Sequence, residues 1–229
     1  MKTILAVDNE IPMLESLEYL LKDAGYQVYA TSVPDDVFLL LRERSIQLLL
    51  LDVHMPKKSG FTLCRQVVAR QQLPVLFVTG FPDSFSDDSL EIRNLWKEQF
   101  IAGTTDIIYK PFNSALLCEK VESLIGPSES GTASSSFDIE TNRLIRQILV
   151  KYRIDLGKIS LNAENGSVLL RGVMSRLSKD RSELDEPTIL SILSEMKSIP
   201  NARGVVLQPG NLIDLGTELQ PVLNSHARA

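Results

Sequence analysis

Short apolar runs, broken at nearly regular intervals by polar segments, govern the first half of the chain. Residues 3–7 (TILAV), 27–31 (QVYAT), 48–52 (LLLLD), 74–79 (PVLFVT) and 105–109 (TDIIY) read as strands. Helical patterns lie between them. One contains Leu14, Leu17, Tyr19 and Leu21 and stops at Gly25; others cover 37–44, 63–71, 89–100 and 114–124. The run 48–51 is apolar on both faces, as a central parallel strand requires. Five strands alternating with five helices predict a parallel, doubly wound α/β sheet. Such sheets place their sites at the carboxyl ends of the strands.

Polar residues collect at those ends. Asp8 and Asn9 follow the first strand, Asp52 ends the third, Thr79 ends the fourth, and Lys110 follows the fifth, ahead of Pro111 and Phe112. Each alone has an ordinary explanation as a turn, cap or strand end. Together they form a set of chemical groups. Two carboxylates and an amide oxygen attract a hard cation, and Mg²⁺ takes oxygen ligands of this kind. A carboxylate held beside a hydroxyl and a lysine is arranged to receive a phosphoryl group.

Residues 1–126 therefore resemble the receiver domain of two-component response regulators. The resemblance rests on "ILAVDNE", on "LLLLDVHMP" with Gly60 downstream, on "PVLFVTG" and on "YKPF". It implies a flavodoxin-like fold with Asp52 as phosphoacceptor. Mg²⁺ would lie among Asp8, Asn9, Asp52 and the backbone carbonyl of His54, with Thr79 and Lys110 on the phosphoryl oxygens. It also implies a phosphoacceptor signalling protein rather than an enzyme. Its phosphodonor would be a sensor histidine kinase or a phosphotransfer protein. Three departures stand out. Asn9 replaces the usual second acid, which predicts weaker Mg²⁺ binding. Ile107 stands where the family has an aromatic switch residue, with Tyr109 instead beside the lysine. Residues 81–103, including the only tryptophan, Trp96, carry an insertion at or within the fourth helix.

Residues 126–136 (GPSESGTASSS) have the composition of a flexible linker. The part before it, 1–126, has twelve Lys+Arg against seventeen Asp+Glu, or −5; the part after it, 137–229, has twelve against eleven, or +1. Residues 137–211 predict a small α+β domain: a helix over 137–152, a hairpin turning at Asn165 and Gly166, a helix over 186–199 opened by Pro187, and a third strand in NARGVVLQ. Its hairpin and "IPNARGVVLQ" weakly resemble a BON domain, although a generic α+β protein-interaction module fits the same pattern. Residues 212–229 read as a disordered tail.

The chain is 44% hydrophobic with a net charge of −5, so it can build a core and has no overall basic character. Arg143, Arg146, Lys151 and Arg153 form its best basic stripe, read as a solvated face. Cys64 and Cys118 read as small buried hydrophobes in a reducing compartment. No run is long enough to span a bilayer, and "MKTILAVDNE" reads as a strand rather than a signal peptide, so the expectation is a cytoplasmic protein. The leading expectation is a phosphorylation-controlled switch acting on a protein partner through the second domain. The alternatives are a transcriptional regulator with an atypical DNA-binding output, and a degenerate receiver serving as a constitutive scaffold. Membrane contact and a homodimer stay open.

Overall fold

The computed structural model describes residues 1–80, 99–100, 102–126, 136–164, 166–177, 184–200, 202 and 204–207. The expected fourth helix with its insertion and Trp96, the linker up to residue 135 and the tail 212–229 lie outside these residues.

In chain order the elements are β1 (Thr3–Val7), α1 (Ile11–Asp23), β2 (Gln27–Thr31), α2 (Val37–Glu43), β3 (Leu48–Asp52), α3 (Gly60–Val68), β4 (Val75–Thr79), β5 (Thr105–Tyr109) and α4 (Ser114–Ile125). Then come α5 (Ser136–Lys151), β6 (Ile159–Glu164), β7 (Ser167–Gly172), α6 (Glu186–Lys197) and β8 (Gly204–Leu207). Strands β1 to β5 form one parallel sheet in the order β2-β1-β3-β4-β5. This is the flavodoxin-like order, whose direction reverses between β1 and β3. Strands β6 and β7 pair antiparallel, and β8 returns parallel to β7.

The helix boundaries follow local chemistry. Ser59 accepts a hydrogen bond from the Thr62 amide, Asn113 from Leu116 and Asp185 from Thr188, so three helix starts satisfy a free donor. Helix α1 stops before Gly25, whose φ of 85° is a left-handed conformation that other residues rarely adopt.

Strand alternation sorts the sheet into two apolar faces. Ile4, Ala6, Leu48, Leu50, Leu76, Val78 and Ile108 point to a layer closed by α1 and α4. Leu5, Val7, Leu49, Leu51, Phe77 and Ile107 point the other way, onto α3. The four leucines of β3 are at most 1% exposed. At about 1.5–3 kcal/mol for each fully buried side chain, they fix where the strand ends. Tyr19 lies in α1, as expected, on its outer side and 72% exposed. One expectation changes: Cys118 is partly exposed while Cys64 is fully buried.

The second apolar face continues without a break into Ile145 and Leu149 of α5 and Ile159 and Leu161 of β6. The two halves of the chain therefore share one core. The shared surface is the edge strand β5. There Asp106, Lys120 and Arg146, each no more than 3% exposed, form a buried ion cluster. Lys120 Nζ donates to Asp106 Oδ1 (2.9 Å) and to the carbonyls of Leu156 (2.9 Å) and Ile159 (2.8 Å), which uses all three of its donors. Arg146 Nε donates to Asp106 Oδ2 at 3.1 Å, and its Nη2 to Ser123 Oγ at 2.5 Å. Burial pulls the Arg146 guanidinium below its ordinary pKa, against the opposing pull of Asp106. The expectation that Arg146 belongs to a solvated stripe is thus overturned: it points inward, and only its neighbours in the stripe reach water.

Candidate functional site

The carboxyl ends of β1 and β3 meet at the topological switch point, and each ends on an aspartate or leads directly into one. Asp8 is 1% exposed and Asp52 is 6% exposed. Lys110, just beyond β5, reaches across the rim: its Nζ lies 2.7 Å from Asp8 Oδ2 and 3.0 Å from Asp52 Oδ1. Asp8 Oδ1 accepts from the Glu10 amide at 2.8 Å. Glu10 itself stands 3.9 Å from Lys110 Nζ. The set of strand-end residues did not include it, although it adjoins the acidic pair in sequence.

Burial raises the pKa of Asp52. The Lys110 hydrogen bond and charge oppose this, and the charge of Asp8 adds to it. For Lys110, burial alone would lower the pKa, but the hydrogen bonds and charges of Asp8 and Asp52 outweigh it and raise the value. One ammonium thus balances two buried carboxylates.

The remaining expected residues line the same rim. Asn9 is exposed beside Asp8, and His54 is exposed in the loop after Asp52. Thr79 is fully buried at the end of β4, and its carbonyl accepts from the Lys110 amide at 2.8 Å. The Lys110–Pro111 peptide is cis. Ile107 is fully buried in the core, on the same side of the sheet as Phe77, which stacks on Phe100. No aromatic ring stands at that position.

The donor set, two carboxylates with the Asn9 amide and a loop carbonyl, suits a hard cation that accepts oxygen ligands. Among the described residues no three His, Cys, Asp or Glu side chains are grouped to hold a metal. In this pocket the third side-chain donor is an amide, so a cation here would meet less negative charge.

Gly60 opens α3 directly against the Asp52 backbone. Its amide donates to the Val53 carbonyl at 2.9 Å, and a Cβ built there would stand 2.1 Å from the Asp52 carbonyl oxygen. Both partners are backbone, so neither yields cheaply. Gly60→Ala is expected to lower stability by about 1–3 kcal/mol, read from the urea midpoint at constant slope. An unchanged midpoint would show that the loop relaxes freely.

The switch point of this flavodoxin-like sheet thus carries two buried carboxylates bridged by a lysine. Residues 4–122 match the family model described as the response regulator receiver domain, and the chain belongs to that family. Several solved structures align with just over half of the chain. A receiver domain from Methylobacillus flagellatus is 22% identical, with a TM-score of 0.44, and covers 54% of this chain and 98% of its own. The chemotaxis protein CheY4 of Vibrio cholerae is 25% identical, with a TM-score of 0.44 and coverages of 54% and 98%. The response regulator TrrA of Thermotoga maritima, solved in complex with Mg²⁺-BeF, is 25% identical, with a TM-score of 0.45 and coverages of 54% and 99%. Among the described residues no helix is long and apolar enough to cross a membrane.

Proposed function

We propose that the protein is a phosphorylation-controlled response regulator, in which Asp52 accepts a phosphoryl group from a histidine kinase or a phosphotransfer protein. The observation that carries this reading is the contact of one lysine with both buried carboxylates, Asp8 and Asp52, at the switch point. An Asp52 carboxylate oxygen attacks phosphorus, forming an acyl phosphate. The bond from phosphorus to the donor breaks, and the donor leaves with the electron pair. Asp8, Asn9, Asp52 and the His54 carbonyl would hold Mg²⁺, which when bound supplies positive charge to the phosphoryl oxygens. Lys110 and Thr79 orient and stabilise the same oxygens. The protein acts as a switch and not as an enzyme with its own substrate, and it works in the cytoplasm beside its phosphodonor.

The C-terminal segment, built of α5, β6, β7, α6 and β8, is the output module in this reading, with the BON-like hairpin as part of a protein-binding surface. Burial of Arg146 removes the centre of the basic stripe, which favours a protein target over DNA. Calorimetric titration with beryllofluoride and Mg²⁺ tests the site. Binding is expected in the wild type and lost in Asp52→Ala; equal binding by both would refute it.

The amide at Asn9 has its own consequence. Asn9→Asp adds a ligand charge, so Mg²⁺ affinity is expected to rise roughly tenfold. A Mg²⁺ titration showing no gain would mean that Asn9 stands outside the coordination sphere.

A further inference from the structure

The residue before Lys110 faces the C-terminal segment. Tyr109 is part of the same core cluster as Ile107, and its hydroxyl donates to Asp155 Oδ1 at 2.7 Å. Asp155 is only 3% exposed. The same Oδ1 accepts from the Gly157 amide at 3.1 Å and so caps the 3₁₀ turn Leu156–Lys158 that leads into β6. The ring packs directly against that turn: a Cβ at Gly157 would come within 2.3–2.8 Å of three Tyr109 ring carbons. The next two anchors of the turn, the carbonyls of Leu156 and Ile159, are held by Lys120. One strand end thus carries two adjacent side chains with opposite duties. Lys110 binds the carboxylate pair, and Tyr109 binds the turn from which β6 starts.

We infer that the Tyr109–Asp155 hydrogen bond couples the state of Asp52 to the C-terminal segment. The inference rests on the phosphoacceptor reading of Asp52. The physical link is the shared peptide unit. Conversion of the Asp52 carboxylate to an acyl phosphate alters the Oδ1–Nζ contact and adds anionic oxygens that draw Lys110 toward the phosphoryl group. A displacement of the Lys110 backbone moves the Tyr109 Cα with it. The Tyr109 hydroxyl then breaks from or tightens on Asp155, and the cap of the 156–158 turn responds. Because Asp155 is buried, losing that donor is felt by the turn and is not made good by bulk water. By linkage, a contact that differs between the two states biases both ends equally.

The test is amide hydrogen exchange on the full chain, with and without beryllofluoride and Mg²⁺, followed over residues 155–164. In the wild type, protection of this stretch is expected to change by several-fold when the mimic binds. In Tyr109→Phe the change is expected to vanish while calorimetry still registers the mimic at Asp52. Asp155→Asn keeps an acceptor oxygen for both Tyr109 and Gly157 and is expected to retain the response, whereas Asp155→Ala loses it. A purely structural role would lower protection in the variants equally with and without the mimic. Binding with no change of exchange in the wild type, or with the same change in Tyr109→Phe, would overturn the coupling alone. Failure of the wild type to bind the mimic would overturn the phosphoacceptor reading and the coupling with it.

Discussion

Asp106→Ala is expected to destabilise the whole protein by about 3–5 kcal/mol, a large share of the stability of an ordinary domain. Among the described residues, Asp106 is the carboxylate that faces both Lys120 and Arg146, and all three are buried. Without it, two cations remain in the interior with only neutral partners: Ser123 Oγ and the Gly103 carbonyl for Arg146, and two carbonyls for Lys120. Asp106 Oδ1 also accepts from the Ile107 amide at 2.7 Å, so the strand loses a local bond as well. An exposed pair provides the contrast. Glu18 and Lys22, at i,i+4 on α1, are expected to contribute no more than about 0.5 kcal/mol. Urea unfolding of Asp106→Ala and Glu18→Ala would place the two at opposite ends of the scale. A loss below about 1 kcal/mol for Asp106→Ala would mean that the cluster is not a closed, dry network. Because the core is continuous, probes of the first sheet and of the C-terminal segment are expected to report one transition.

The sheet was legible because its strands are short apolar runs ending on polar residues. Leu48 to Leu51 cannot face water on either side, and that alone places β3 at the centre of the sheet. The pocket was legible for the same reason, since Asp8, Asp52, Thr79 and Lys110 each lie at a strand end. The joint between the halves was harder to see. Lys120 falls in register with Leu117, Val121 and Leu124 on the apolar stripe of α4, and Arg146 adjoins Ile145 and lies in register with Leu149 on that of α5. Both positions marked inward-facing cations, but their common partner is Asp106, 14 and 40 residues away. The linear run of charge along α5 suggests a wet Arg146, whereas its register with the apolar stripe turns it inward. Tyr109 stands out in the sequence only as a displaced aromatic, since its partner Asp155 lies 46 residues further on.

Removal of Asp52 is expected to abolish phosphorylation while leaving the fold intact. The carboxylate closes the central strand β3 and is held by the bridging lysine at 3.0 Å. Asp8, the other buried carboxylate, spends one oxygen on the Glu10 amide and the other on Lys110. The fold survives for an electrostatic reason. Burial raises the pKa of Asp52 above its unfolded value, so at neutral pH its charged form weakens the native state. Asp52→Ala relieves that burden, and Lys110 keeps its bond to Asp8. The variant is therefore expected to match or exceed the wild type in urea midpoint, so loss of labelling would not be a consequence of unfolding. The decisive measurement is intact-mass analysis after incubation with acetyl phosphate and Mg²⁺. The wild type should gain one phosphoryl group, mapped to Asp52, and Asp52→Ala should gain none. Equal labelling of the two proteins, or no labelling of the folded wild type by any phosphodonor, would contradict the assignment of Asp52 as the phosphoacceptor.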